Sequence, residues 1–198
     1  MDHAGLRHHA MEAGEQLKAQ GCERPTHIFV QAGVGSLAGA VVGYFANLYA
    51  DNPPTFVVVE AEAAACLYKG AAAGDGDIRI VDGDMQTIMA GLACGEPNTI
   101  SWDILKNHVK VFIAAPDWVA ANGMRMLAAP IKGDASITSG ESGAAPFGAL
   151  AAMTTLDEYE QLKKDIGLDE NSRVLLFSTE GDTDPDRYKN IVWKGLDK

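Results

Sequence analysis

Two glycines and a serine, Gly33, Gly35 and Ser36, sit between an apolar β-branched run, Ile28 to Val30, and a small-residue stretch, Leu37 to Asn47. Glycine adopts backbone conformations that other residues resist, so successive N–H groups can turn into one concavity at the positive end of the following helix. Such a concavity suits a phosphate. The same glycines also serve to pack a helix tightly on a sheet, and this stretch alone leaves both uses open.

Two further groups of residues could do chemistry. Ser178 and Thr179 follow the apolar segment Arg173 to Phe177, and a hydroxyl pair just past a buried strand lies where parallel sheets receive ligands, although it can equally cap a turn. Glu141 lies in Ser139-Gly140-Glu141-Ser142-Gly143, a setting in which a carboxylate at a helix start is most often a partner of the helix dipole. Metal chemistry finds less support. GDGDIRIVDGD lacks the ligand spacing and closing glutamate of a calcium loop, and His3, His8 and His9 read as exposed residues of a first helix. Cys22, Cys66 and Cys94 are odd in number, lack metal-type spacing and read as buried free thiols in a reducing cytoplasm.

The elements that must position these residues alternate. Leu6, Met11, Ala13 and Leu17 suit an amphipathic helix ending near Gly21. A strand at Ile28–Val30, a turn at Ala32–Ser36 and the helix Leu37–Asn47 lead to a second strand, Thr55–Val59. Glu60 then opens a helix through Ala63, Ala64 and Leu67. The pattern predicts a short strand at Ile78–Val81, a helix over Thr87–Gly95, another over Ser101–His108 capped by Ser101, and a strand at Val109–Ala114. Helices from Pro116 towards Leu127, from the Ser139–Gly143 segment through Ala152, and over Leu156–Leu168 precede the last strand, Arg173–Phe177. Short apolar strands alternating with helices predict an α/β fold, a parallel twisted sheet with helices on both faces, in one domain over residues 1–198.

Composition narrows the function. A net charge of −11 argues against nucleic acid or an anionic membrane surface as partner, and no apolar run approaches the roughly 20 residues that a bilayer crossing needs. A small-molecule ligand fits better.

QAGVGSLAGAV, TIMAGLACGEPN, SGESGAA and STEGDTDP, in that order, resemble the diaminopropionate ammonia-lyase family of the tryptophan synthase β-like pyridoxal-phosphate enzymes. The resemblance runs from the first helix to IVWKG near the end. It implies fold type II and a pyridoxal 5′-phosphate cofactor whose phosphate is held by Gly33, Val34, Gly35, Ser36 and Leu37. It places Ser178 opposite the pyridine nitrogen, with Thr179 as the alternative, and Glu141 near the ring or substrate. The implied reaction is α,β-elimination on the amino acid 2,3-diaminopropionate, giving pyruvate and ammonia, in a cytoplasmic homodimer.

That chemistry requires a lysine to carry the cofactor as a Schiff base and a positioned base. No lysine here stands in the family's Ser/Lys/Arg context; Lys69, in CLYKGAAAG, is flanked by small and apolar residues and is expected to reach solvent. The expectation is therefore the C-terminal part of a larger enzyme, inactive alone, with the catalytic residues in an N-terminal half. A non-catalytic phosphate- or cofactor-binding module and a fragment of a serine or threonine dehydratase are the alternatives.

Overall fold

The computed structural model describes residues 3–196, and its centre is one sheet of four parallel strands. In chain order the elements are α1 (His3–Ala19), β1 (His27–Gln31), α2 (Ser36–Leu48), β2 (Thr55–Ala61), α3 (Cys66–Ala73), α4 (Thr99–His108) and β3 (Val109–Ala115). They continue with α5 (Asp117–Ala128), α6 (Glu141–Thr155), α7 (Glu160–Ile166), β4 (Val174–Leu176) and α8 (Pro185–Lys194). The strand order is β3-β2-β1-β4, so β1 and β2 are central and β4 is an edge.

Alternation along the central strands divides the interior into two cores. Ile28, Val30, Phe56 and Val58 face Ala38, Val41 and Phe45 of α2, Leu67 of α3, Trp102 and Leu105 of α4, and Ala13 and Leu17 of α1. Phe29, Val57 and Val59 face Ala120 and Met124 of α5, Ala145 and Met153 of α6, Ile166 of α7 and Ile191 of α8. Central strands buried on both sides read as unbroken apolar runs, which explains the sequences FVVV and IFV. The predicted α/β architecture with helices on both faces is the one observed.

Helices α5 and α6 touch through missing side chains. A Cβ on Gly148 would lie 2.0 Å from the Val119 carbonyl oxygen, and one on Gly123 would lie 2.5 Å from that of Ala144. The two backbones therefore approach more closely than any larger residue permits.

Several boundaries differ from the sequence expectation. β2 runs on to Ala61, so Glu60 is a strand residue; after a 3-10 turn at Glu62–Ala64, α3 begins at Cys66. Ile78–Val81 is not a strand: Ile78 and Ile80 are exposed, and Val81 N–H donates to the Gly95 carbonyl instead of joining the sheet. Thr87–Gly95 holds only a 3-10 turn at Ala90–Leu92, packed closely enough that a Cβ on Gly95 would meet the Val81 carbonyl oxygen at 1.9 Å. Asn98, rather than Ser101, caps α4, accepting the Ser101 N–H at 2.9 Å. The predicted helix Leu156–Leu168 is a 3-10 turn, Asp157–Tyr159, followed by α7. The last strand is only Val174–Leu176. Met11 is exposed, while Ala10, Ala13 and Leu17 form the inner face of α1; the side chains of His3, Leu6 and His9 lie outside the described residues. His8 is exposed, as expected.

Candidate functional site

β1 is flanked by β2 on one side and β4 on the other, so the chain leaves its carboxyl end where the direction of winding changes, and crevices form at such points. A cavity of about 760 Å³ opens there. Its lining includes Gly33 to Leu37, Gly91, Ser142, and Phe177 to Glu180, with Gln31 beneath. The predicted loop and the predicted hydroxyl pair, separated by some 140 residues of sequence, thus meet in one cavity.

The loop has the shape required of it. Gly35 precedes α2 with φ +92°, a left-handed conformation that disfavours a side chain. Its glycine is required twice over, because a Cβ would also sit 3.2 Å from Leu105 and 3.3 Å from Leu67. That Cβ would point into the core rather than the cavity, so the glycine shapes the loop while its backbone stays at the cavity surface. The Val34 carbonyl accepts the Asn98 N–H at 2.8 Å, which ties the loop to the cap of α4. Among the described residues no acceptor takes the N–H groups of Gly33, Val34 and Gly35, and the first N–H groups of a helix have no partners within it.

Two helix N-termini reach this cavity, and they differ. At α6 the Glu180 carboxylate accepts the N–H of Ser142 at 2.6 Å and of Gly143 at 3.4 Å, so the protein supplies its own anion. Gly140 N–H donates to the Glu180 carbonyl at 3.1 Å and clasps the two loops together. At α2 no side chain caps the end. The open N-terminus is the one with the glycine loop, and it can receive a phosphate.

The hydroxyl pair lies beyond β4. Ser178 Oγ donates to Ser139 Oγ at 2.9 Å, and Thr179 Oγ1 accepts from Gln31 Nε2 at 2.8 Å. Gln31 Nε2 also donates to the Phe177 carbonyl at 3.0 Å. Gln31 Oε1 and Ser142 Oγ are buried and have no hydrogen-bond partner, although both residues line the cavity. Buried polar atoms left unpaired are rare, and two in one cavity mark a place for a polar ligand or water.

Glu141 is arranged differently from the expectation drawn from its motif. It does not line the cavity; its Oε1 pairs with the Arg187 guanidinium of α8 at 3.2 Å. Burial raises its carboxyl above the ordinary range, and Arg187 pulls it back. It serves as the first-turn acid of α6, the dipole partner that its setting suggested. Lys69 is exposed on α3 as expected. Of the cysteines, Cys66 is buried, with its thiol pushed up to about 12 by burial and by Glu60, whereas Cys22 is half-buried and Cys94 is exposed at the cavity; the expectation of three buried thiols holds for Cys66 alone. Among the described residues no group of three or more metal-ligating side chains is gathered.

Sequence reasoning missed Gln31, Ser142 and Glu180 as cavity residues. The available signal for Gln31 was a lone amide at the end of an apolar strand just before the glycines; Glu180 lay inside the STEGD motif without a role.

A parallel α/β sheet with an uncapped, glycine-shaped helix N-terminus and a facing hydroxyl pair forms a cavity able to receive a phosphorylated small molecule. The sequence matches the family described as "Pyridoxal-phosphate dependent enzyme" over residues 3–179, and the chain belongs to that family. It is 51% identical to diaminopropionate ammonia-lyase of Salmonella typhimurium over 94% of this chain, and 46% identical to that of Escherichia coli K12 over 94%. In both cases the chain spans 46% of the relative's length, about half. The crystal structure of Escherichia coli diaminopropionate ammonia lyase in complex with an aminoacrylate-PLP azomethine reaction intermediate superposes with a TM-score of 0.89 at 42% identity, covering 98% of this chain and 49% of that one.

Proposed function

We propose that this chain is the C-terminal, cofactor-phosphate-holding part of a pyridoxal-phosphate-dependent ammonia-lyase that converts 2,3-diaminopropionate to pyruvate and ammonia. The observation that carries the reading is the meeting of Gly33–Leu37 with Ser178 and Thr179 in one cavity at the strand carboxyl ends. The identity to diaminopropionate ammonia-lyases supports the choice of substrate over serine or threonine.

The residues present fit the cofactor. The N–H groups of Gly33, Val34, Gly35, Ser36 and Leu37 would hold the phosphate, aided by the α2 dipole and the Ser36 hydroxyl. One of the two hydroxyls, Ser178 or its neighbour Thr179, would meet the ring nitrogen. Glu141 stands outside the proposed site because its carboxylate is turned to Arg187. When bound, pyridoxal phosphate supplies an electron sink for loss of the substrate α-proton. This chain's part is to fix the phosphate and the ring plane, so that the reacting carbon is held against groups from elsewhere in the enzyme. A neutral hydroxyl from this chain, rather than a carboxylate, would face the ring nitrogen and would not drive its protonation. The Schiff-base lysine and the proton-transferring base are assigned to the part of the polypeptide outside this chain. The complete enzyme is read as a cytoplasmic homodimer without nucleic-acid affinity; the net charge of −11 supports the last point and the free thiols the first.

The test is pyruvate release from 2,3-diaminopropionate with added cofactor, comparing this span alone, the remaining half alone and the two together. Activity only in the combined sample is expected. Activity from this span alone, or faster turnover of serine or threonine than of 2,3-diaminopropionate by the combination, would contradict the assignment.

A further inference from the structure

Gln31 bridges β1 and β4 where their backbones no longer do. The ladder pairs His27 with Val174, Ile28 with Leu175 and Phe29 with Leu176, then stops. Two residues on, Gln31 continues the connection with its side chain, donating from Nε2 to the Phe177 carbonyl and to Thr179 Oγ1. The orientation of this amide follows from its partners. A backbone carbonyl can only accept, so the nitrogen must face Phe177, and the second N–H then falls to Thr179. Gln31 is 2% exposed, and the neighbouring apolar residues leave its head group little freedom to turn.

This fixes the part played by one of two adjacent hydroxyls, Thr179, as an acceptor. Ser178 Oγ hydrogen-bonds to Ser139 Oγ at 2.9 Å, and Ser139 Oγ is in turn 3.5 Å from the Gly140 carbonyl, a run that leads away from the cavity into the loop before α6. Thr179 Oγ1 accepts a hydrogen bond from Gln31 Nε2, and among the described residues no acceptor takes Thr179's own O–H. A hydroxyl holding one bond as an acceptor has its proton free to donate, and an unprotonated pyridine nitrogen is an acceptor. Resting on the cofactor assignment above, we propose that Thr179, rather than Ser178, is the hydroxyl that donates to the ring nitrogen, and that Gln31 is the positioning residue that commits it to that role.

The proposal differs from motif alignment, which favours Ser178, and it gives Gln31 a purpose beyond packing. An apolar residue at this strand end would fill the volume at less cost than an amide that leaves its Oε1 buried and unpaired.

The test uses the full-length enzyme that contains this chain, loaded with pyridoxal 5′-phosphate, in the variants Thr179→Val, Thr179→Ser, Ser178→Ala, Gln31→Met and Gln31→Met with Thr179→Val. The readouts are cofactor affinity and the position of the ring absorption band as a function of pH, which a merely structural role would leave in place. Thr179→Val and Gln31→Met should each shift the band and weaken cofactor binding by about 10-fold, the scale of one lost hydrogen bond. Thr179→Ser and Ser178→Ala should keep the parental band, and the double variant should be no worse than Thr179→Val. A band shifted by Ser178→Ala and unmoved by Thr179→Val would overturn the assignment. Additive effects in the double variant would overturn the role of Gln31. Should Gln31→Met not fold, the contrast between valine and serine at the exposed position 179 still decides the identity of the donor, and a Gln31 side-chain amide resonance unchanged by Thr179→Val would overturn its positioning role. Failure of the parent to bind pyridoxal phosphate would instead overturn the functional reading itself.

Discussion

Glu60 Oε2 accepts the backbone N–H of Tyr68 at 2.7 Å, and the same carboxylate takes the Leu67 N–H at 2.9 Å through Oε1. A strand residue thereby caps the first turn of a helix that follows it. Because Glu60 is 1% exposed, the bond also fastens α3 to the carboxyl end of β2, next to the loop that carries Gly33.

Burial pushes the Glu60 carboxyl up from 4.5 to about 7, against the pull of its N–H partners. Between those values the folded protein holds the proton more tightly than the unfolded chain, so the contribution of Glu60 to stability is largest at low pH and falls as pH rises to about 7. The loss amounts to about 3 kcal/mol at most. Glu60→Gln removes the titration while keeping the shape. Urea unfolding at pH 5 and pH 8 should show the parent losing stability relative to the variant as pH rises, and parallel behaviour of the two proteins would contradict the assignment.

Gly35 and Ser36 are adjacent but should fail differently. Gly35→Ala forces a side chain into a left-handed backbone and against Leu67 and Leu105, which should cost roughly 1–3 kcal/mol of stability and disturb the loop. Ser36→Ala removes one hydroxyl from the cavity and should leave stability within about 0.5 kcal/mol. Its cost should appear in phosphate or cofactor affinity, at about 10-fold. Unfolding curves together with a cofactor titration separate the two; a stability loss in Ser36→Ala matching that of Gly35→Ala would be the contrary result.

Gly148→Ala should be among the most destabilising small substitutions in the chain. The added carbon meets a backbone carbonyl of α5, which cannot swing aside as a side chain could, so α5 and α6 must separate. A loss of about 3 kcal/mol is expected from chemical denaturation. A change under about 0.5 kcal/mol, the range of an ordinary surface site, would contradict the close approach.

What could be read from sequence was local. The β1–α2 unit carries its own instructions, an apolar strand, two glycines and a small-residue helix, and the structure follows them. The parallel sheet followed because FVVV and VFIAA are apolar on both faces. Ile78–Val81 misled because apolar alternation looks the same whether or not a neighbouring strand exists to receive it, and here Gly95 takes the Val81 N–H instead. Glu60 looked like a helix start because acids favour first turns; it does cap a helix, but from within the preceding strand. Helix α8 had a legible signal in Asp184-Pro185, a cap and a first-position proline, that went unused. Gln31, Glu180 and the Glu141–Arg187 pair were not legible, since each depends on contacts across at least 37 residues of sequence.

The central claim is that the open N-terminus of α2 holds the cofactor phosphate. It is tested most directly by the crystal structure of the protein grown with pyridoxal 5′-phosphate. The account predicts phosphate density with oxygens about 2.7–3.2 Å from the N–H groups of Gly33 to Leu37, and the ring directed towards Thr179. Phosphate density at the groove lined by Lys163 and Lys164 beside the amino end of β4, with the α2 N-terminus engaged by protein groups alone, would contradict it.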